Sequence, residues 1–293
     1  MPVGAVDNPE GWNSIGKRLA GHIKNCQALL ARRAYFSARE EAKMAISHLM
    51  QTIDLHEGSY ESEPSFAAAM TALREAQDFT NTGAVHGRQT VSVIIGAHSS
   101  DILSQYDVSK VSPLAAAEYY RLAAADKLVA AAKNHPWASE LYYTLGRVDQ
   151  AQAESSSGTQ QANLRWRAMT LYRAAAAINP KNAIALNQLG VIFLQMDRPR
   201  DASEALVEAV RLGTTPEAAN NLVAASQKIG NAQLLAWAKQ NVRPTRAART
   251  SQTRPNVVLV PGQAFAVMNP NAPSRPAMPT APRVPTQTVG YQR

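Results

Sequence analysis

The feature of this chain that most constrains its fold is a spacing of 34 residues between matching small and large apolar residues in its second half. The first set is Ala168, Tyr172 and Ala175, and the second set is Ala202, Leu206 and Ala209. A repeat of this length accommodates two helices and their connecting turns, and neighbouring copies bury a shared core. The spacing therefore predicts a stack of helix-turn-helix units.

Each predicted unit also has a glycine in its first helix. Leu145 and Gly146 precede the first set, and Leu189 and Gly190 precede the second. Because glycine has no side chain, we expect the two helices of a unit to cross closely at these positions. Proline cannot continue a helix, so Pro216 is expected to mark the end of a unit.

The two glycines are further apart than one repeat. Gly146 and Gly190 are separated by 44 positions, which is ten more than the repeat. Residues 152–163 are rich in Ser and Gln and contain a Gly, a composition typical of loops. We therefore expect an inserted loop at 152–163, between the two helices of the first clear unit.

The pattern resembles the tetratricopeptide repeat, a 34-residue module of two antiparallel helices. The resemblance implies an all-α, right-handed superhelix of helix-turn-helix repeats, with units at 137–180, at 183–216 and, in degenerate form, at 217–240. Asp149 departs from the family pattern, which has an aromatic or aliphatic residue there. With its Pro-rich tail the chain is also similar to repeat-containing proteins of bacteria, a similarity that implies no activity.

The first half of the chain predicts helices in a less regular order. Residues 1–12 contain two prolines and two glycines, which indicates a flexible arm. Residues 13–136 have apolar residues at helical spacing, and 22–55 within them is interpreted as a diverged repeat. We expect a short extended stretch at 90–95, where β-branched residues cluster, and a short helix at 100–106.

The basic charge of the chain belongs to its C-terminal segment, 241–293. The formal net charge is +8, and this segment contains seven arginines and no lysine or acidic residue. About +1 is left for residues 1–240, which argues against a folded basic domain that binds nucleic acid. Nine of the 17 prolines lie in the segment, so we expect it to be disordered, apart from an apolar stretch at 257–267.

The resemblance implies a binding groove, because in the tetratricopeptide family the first helix of each unit lines a concave surface that binds peptides. The residues expected on that surface are Tyr143, Arg147, Asn187, Val191, Gln195 and Asn220. Tyr, Arg and Asn side chains can bind the backbone or the terminal carboxylate of an extended peptide. The basic clamp of some family members is not reproduced, since Arg147 alone offers a cation. Solvated helix faces without a ligand remain the alternative.

The tail has three interpretations, and any contacts that it makes are assigned to its first four arginines: Arg243, Arg246, Arg249 and Arg254. It can be a soluble spacer, or a segment that binds a protein partner. It can also make electrostatic contact with nucleic acid or anionic lipid, with little specificity because aromatic residues are not interleaved.

The remaining sequence predicts no catalytic or metal chemistry. Six histidines have no paired metal-ligand spacing, a single cysteine excludes thiolate zinc sites, and no phosphate-binding loop is present. The charged residues 39–43 are interpreted as a solvated helix face. We therefore expect a non-catalytic scaffold without cofactors that binds protein segments. The alternative is a factor that its tail tethers to nucleic acid or to the cell envelope.

The sequence also bears on the compartment. No secretory signal is recognised, and no stretch approaches the length of about 20 apolar residues that a membrane-spanning helix needs. A cytoplasmic location is the default expectation, and association with the envelope stays open.

Overall fold

The structure is a computed structural model, and it describes residues 9–80, 91–213 and 216–242. Within these ranges the chain forms eleven α-helices, a 3₁₀ turn at Val108–Lys110 and no strand, as the all-α prediction requires. The helices, in chain order, are α1 Pro9–Ala31, α2 Tyr35–Glu57, α3 Ser62–Glu75, α4 Val91–Ile95, α5 Pro113–Ala132, α6 Pro136–Glu154, α7 Gly158–Ile178, α8 Ala183–Gln195, α9 Pro199–Leu212, α10 Pro216–Ile229 and α11 Ala232–Asn241.

Local sequence signals explain where several helices begin and end. The hydroxyl of Ser112 accepts a hydrogen bond from the backbone N–H of Ala115, and proline follows it at the first position of α5. Asn182 accepts in the same way at the start of α8. Gly58 ends α2 and Gly213 ends α9, each with a positive φ that residues with a side chain adopt at a cost.

Two apolar cores fill the described part of the molecule, and α7 contributes to both. Its residues Leu171, Ala175 and Ile178 join the core formed mainly by α1 to α6. Its residues Ala168 and Tyr172 join the core of α8 to α11. Because α7 contributes to both cores, it connects the less regular N-terminal helices to the helix pairs that follow.

The helices from α6 to α11 pack in chain order, each against the next. The predicted close crossings are confirmed at both glycines. A methyl group added at Gly146 would lie 2.6 Å from the ring of Tyr172, and one added at Gly190 would collide with Leu206. Tyr172 and Leu206 are 34 residues apart, so the two helix pairs α6–α7 and α8–α9 cross in an equivalent way.

The inserted loop predicted at 152–163 is wrong. Helix α6 continues to Glu154 and α7 begins at Gly158, so the ten additional residues lengthen both helices. Glutamine is a good helix former, and the side-chain amide of Gln161 donates to the carbonyls of Ala153 at 3.0 Å and Ser156 at 2.9 Å. These bonds satisfy two backbone carbonyls at the end of α6, so a long loop is not needed before α7 begins.

Three predictions for the first half of the chain also need correction. Residues 9–12 belong to α1, and 1–8 of the predicted arm lie outside the described residues. The extended stretch at 90–95 is instead the short helix α4, which buries Val91 and Ile94 three positions apart, on one helical face. The predicted helix at 100–106 is a series of turns.

The predicted diverged repeat at 22–55 spans most of the hairpin of α1 and α2, and it stays a prediction. These helices pack against each other, and α2 also packs against α6. Ala38, Ala42 and Ala45 belong to the fully buried face of α2.

Candidate functional site

The helices α6, α8 and α10 carry polar side chains that contact one another across helix boundaries. The guanidinium of Arg147 on α6 donates to the side-chain oxygen of Gln188 on α8 at 3.3 Å. The side-chain amide of Asn221 on α10 donates to the side-chain oxygen of Asn187 on α8 at 3.0 Å. We call these four residues the polar row. Asn187 and Asn221 are 34 positions apart, so the bond joins equivalent positions of two helix pairs.

The six predicted groove residues differ from one another in burial and in contacts. Arg147 is half-buried and Asn187 is buried, and both belong to the polar row. Tyr143 is half-buried, with its ring centroid 5.9 Å from that of Tyr172. Val191 and Gln195 are half-buried on α8.

The sixth predicted residue, Asn220, is exposed on α10, and its neighbour Asn221 makes the bond to Asn187. Counting 34 residues from Asn187 leads to Asn221. The repeat length thus pointed to Asn221 as the counterpart of Asn187, and the role of Asn220 in a groove stays a prediction.

Arg147 supplies the positive charge of the polar row. Within the described ranges no carboxylate lies within salt-bridge distance of its guanidinium, which is held instead by the side-chain oxygens of Gln150 and Gln188. Burial raises the pKa of the Tyr143 and Tyr172 hydroxyls. These hydroxyls therefore stay protonated at neutral pH and do not neutralise Arg147, whose interaction with an acidic residue among those described is a longer-range one with Glu154.

A buried ion-pair cluster lies elsewhere on α6, around Asp149. The side chain of Asp149 is fully buried. Arg39 of α2 donates to its Oδ1 from Nη2 at 2.6 Å and from Nε at 3.1 Å. Arg167 of α7 places its Nη2 3.3 Å from the other carboxylate oxygen, without the alignment of a hydrogen bond. The cluster thus links three helices through one carboxylate.

The sequence pointed to Asp149 only as a departure from the repeat pattern, and it did not identify the partners. The interpretation of 39–43 as a solvated face is wrong for Arg39, whose side chain is only 15% exposed. It is also wrong for Glu41, which binds His22 and Asn25 of α1. Only the pair of Lys43 with Glu40, at 3.0 Å, is a local surface ion pair of the expected kind.

The thiol of Cys26 is held in its unreactive, protonated form. Burial and the nearby Glu41 carboxylate raise the pKa of the Cys26 thiol to about 12, so it stays protonated. In the described part of the chain no three His, Cys, Asp or Glu residues are grouped so that they could hold a metal ion. Among the same residues, no helix is long and apolar enough to cross a bilayer. Arg243, Arg246, Arg249 and Arg254, and the apolar stretch 257–267, lie outside the described residues.

Comparison of the chain with protein-family models, with curated proteins and with solved structures gave no match.

Proposed function

We propose that the helix pairs from α6 to α11 form a non-catalytic scaffold, similar to tetratricopeptide repeats, that binds an extended segment of another protein along the polar row. The observation that carries this proposal is the hydrogen bond between Asn187 and Asn221, 34 residues apart. The pairs α8–α9 and α10–α11 therefore carry amides one repeat length apart. A regular interval of donors and acceptors suits the regular backbone of an extended peptide.

The chemistry of the row favours backbone recognition over side-chain recognition. Beyond the bonds within the row, Asn187 and Gln188 keep amide N–H donors and Asn221 keeps its amide oxygen, and a peptide backbone needs both donors and acceptors. Among the described residues no carboxylate lies within salt-bridge distance of Arg147, although Glu154 interacts with it electrostatically over a longer distance, so we place Arg147 as the contact for a C-terminal carboxylate or an acidic side chain. A few hydrogen bonds of about 1 kcal/mol each, with one charge-assisted contact, sum to about 5 kcal/mol, which corresponds to a dissociation constant of roughly 0.1–1 mM.

The distribution of charge favours a second candidate function, that of a factor tethered to nucleic acid or to anionic membrane. Seven arginines without an acidic residue follow α11 in the sequence, and such a segment binds polyanions through counterion release. In the scaffold proposal the same arginines add affinity for an acidic partner.

The experiment is a selection of ligands from a library of random octapeptides, each made with a free and with an amidated C-terminus. Binding of the selected peptides is then measured for the full-length protein and for Asn221→Ala, with Asn220→Ala as a matched control on the same helix. We expect Asn221→Ala to weaken binding about fivefold or more, and Asn220→Ala to leave it within twofold. Equal effects of the two variants, or no selected peptide, would contradict the scaffold proposal.

A tail variant separates the two candidate functions in the full-length chain. In it, Arg243, Arg246, Arg249 and Arg254 are all replaced by Gln. Scaffold binding predicts that peptide affinity persists at high salt and in this variant. If the protein binds only DNA or anionic vesicles, and loses this binding in the variant, the tether is its function.

A further inference from the structure

A second polar site lies around the ion-pair cluster, on a different side of α6 from the polar row. Asp149 and Arg147 are two positions apart on α6, so their side chains point about 200° apart around the helix. Next to Asp149 the structure has an open cavity of ≈ 330 Å³. Its polar lining residues are Arg39, Gln77, Gln152, Gln160, Asn163 and Arg167.

Some N–H donors of the arginines that line the cavity have no protein acceptor among the described residues. Arg39 uses its Nε and Nη2 to bind Asp149 and Gln152. Its Nη1 has no hydrogen-bond partner in the described part of the chain. Arg167 makes no aligned hydrogen bond within the described ranges, although its side chain is only 17% exposed. Since one carboxylate faces two guanidiniums, the cluster keeps a net charge of +1.

A third guanidinium adjoins the same region. A smaller cavity of ≈ 10 Å³ shares Gln77, Asn163 and Arg167 with the larger one and reaches Arg121 of α5. Arg121 is 3% exposed, and its guanidinium lies 4.2 Å from the centre of the Trp166 ring. Its buried Nη1 has no hydrogen bond, with the nearest carboxylate oxygen, on Glu118, at 3.5 Å. The guanidinium is therefore held by this ion pair and by the Trp166 ring, without an aligned hydrogen bond from Nη1.

The amides around the cavity complement these cations. The side-chain amide of Asn163 contacts the hydroxyl of Thr80 at 2.8 Å, which fixes its position in the wall of the cavity. Gln160 is exposed on α7 at the edge of the cavity. Leu164 is its one apolar lining residue, so the surface suits a polar ligand.

We propose that this cavity is a binding site for a small anionic molecule with a carboxylate or phosphate group. Arg39 and Arg167 hold the oxyanion, and the amides of Gln160 and Asn163 bind the remaining polar atoms. The volume falls at the lower end of the range of small-molecule sites, about 300–1,000 Å³, and so fits a metabolite-sized ligand. The site is independent of the polar row, and neither proposal depends on the other.

The test uses inorganic phosphate and succinate as probes, titrated at constant ionic strength into the full-length protein and followed by calorimetry and by the side-chain Nε–Hε NMR signals of its arginines. We expect saturable binding of at least one probe, with millimolar affinity or tighter, and shifts of the Arg39 and Arg167 signals. Binding of one probe but not the other assigns the oxyanion and supports the site. Binding of neither overturns it.

Three variants locate the bound probe. Arg167→Gln removes guanidinium donors but leaves the pair of Arg39 with Asp149, and it should weaken binding at least tenfold. Gln160→Glu places a negative charge at the rim without altering the buried cluster, and it should weaken binding at least fivefold. Ala162→Glu adds the same charge at an exposed position on α7 that does not line the cavity, and should stay within twofold.

Arg167→Gln and Gln160→Glu both alter the site, so the test does not depend on the correct folding of one variant. If Arg167→Gln does not fold, the comparison of Gln160→Glu with Ala162→Glu decides the outcome. Equal binding by Gln160→Glu and Ala162→Glu would mean that the probe binds elsewhere, for example at the arginines of the tail, and would overturn the proposal.

Discussion

A methyl group added at Gly146 would lie only 2.6 Å from the ring of Tyr172, so this ring occupies the space that a side chain at position 146 would fill. Leu206 stands in the same relationship to Gly190, one repeat length further along the chain. Both large side chains are fully buried. A glycine therefore packs directly against a large buried side chain in both helix pairs, α6–α7 and α8–α9.

Replacing either glycine by alanine should destabilise the protein. The added methyl group of Gly146→Ala or Gly190→Ala forces a buried side chain to move, and overpacking of this kind costs about 1–3 kcal/mol. Gly21→Ala is the matched control, because nothing lies within 4 Å of the methyl group it adds to α1. It should stabilise by about 0.5–1 kcal/mol through helix propensity. Urea unfolding measures all three, and equal effects would contradict the crossing.

Arg39 should contribute far more to stability than its neighbour Lys43. Arg39→Ala leaves the buried carboxylate of Asp149 with Arg167 alone, which we expect to cost about 2–4 kcal/mol. Lys43→Ala removes a surface pair with Glu40 and should change the free energy of unfolding by about 0.5 kcal/mol or less. Thermal and urea unfolding provide the measurement. A small effect of Arg39→Ala would show that the cluster does not join α2 to α6.

The loss of stability in acid should depend on Asp54. Burial alone would raise the pKa of this carboxyl, but the backbone N–H groups of Ser62 and Glu63 and the hydroxyl of Ser59 bind its ionised form, and its net pKa is lowered. A lowered folded-state pKa adds stability above the unfolded pKa of about 4, and the stability is lost as the pH falls through the folded value.

Asp54→Asn should therefore lower the free energy of unfolding by about 1–3 kcal/mol at pH 7, and by less as the pH falls below about 4. The control is Asp126→Asn, an exposed residue of α5, which should change it by about 0.5 kcal/mol or less. Urea unfolding between pH 3 and pH 7 tests the pair. A pH-independent difference between Asp54→Asn and the unmodified protein would contradict the role of the ionised carboxylate.

The sequence predicted those features that depend on neighbouring residues or on the repeat length. The helix pairs and the glycine crossings follow from spacing alone. The loop at 152–163 was predicted wrongly, because composition does not reveal that the side chain of Gln161 can donate to the backbone carbonyls at the end of α6. The cluster around Asp149 could not be predicted, since Arg39 lies 110 residues away in the sequence and only the packing of α2 against α6 brings it near.

The polar row lies between these cases. Its pair of asparagines follows from the repeat length, whereas the contact of Arg147 with Gln188 joins residues 41 positions apart and departs from that length. The longer helices α6 and α7 shift the spacing there, so only the structure shows which side chains meet.

The most direct measurement of the scaffold proposal is the NMR spectrum of the side-chain amides while a selected peptide is added to the full-length protein. The amide signals of Asn187, Gln188 and Asn221 should shift together and saturate with the same dissociation constant. The amide of Asn231, whose oxygen caps α11, should not move. Shifts of Asn231 and of other amides outside the row, with the three signals of the row unchanged, would contradict the proposal.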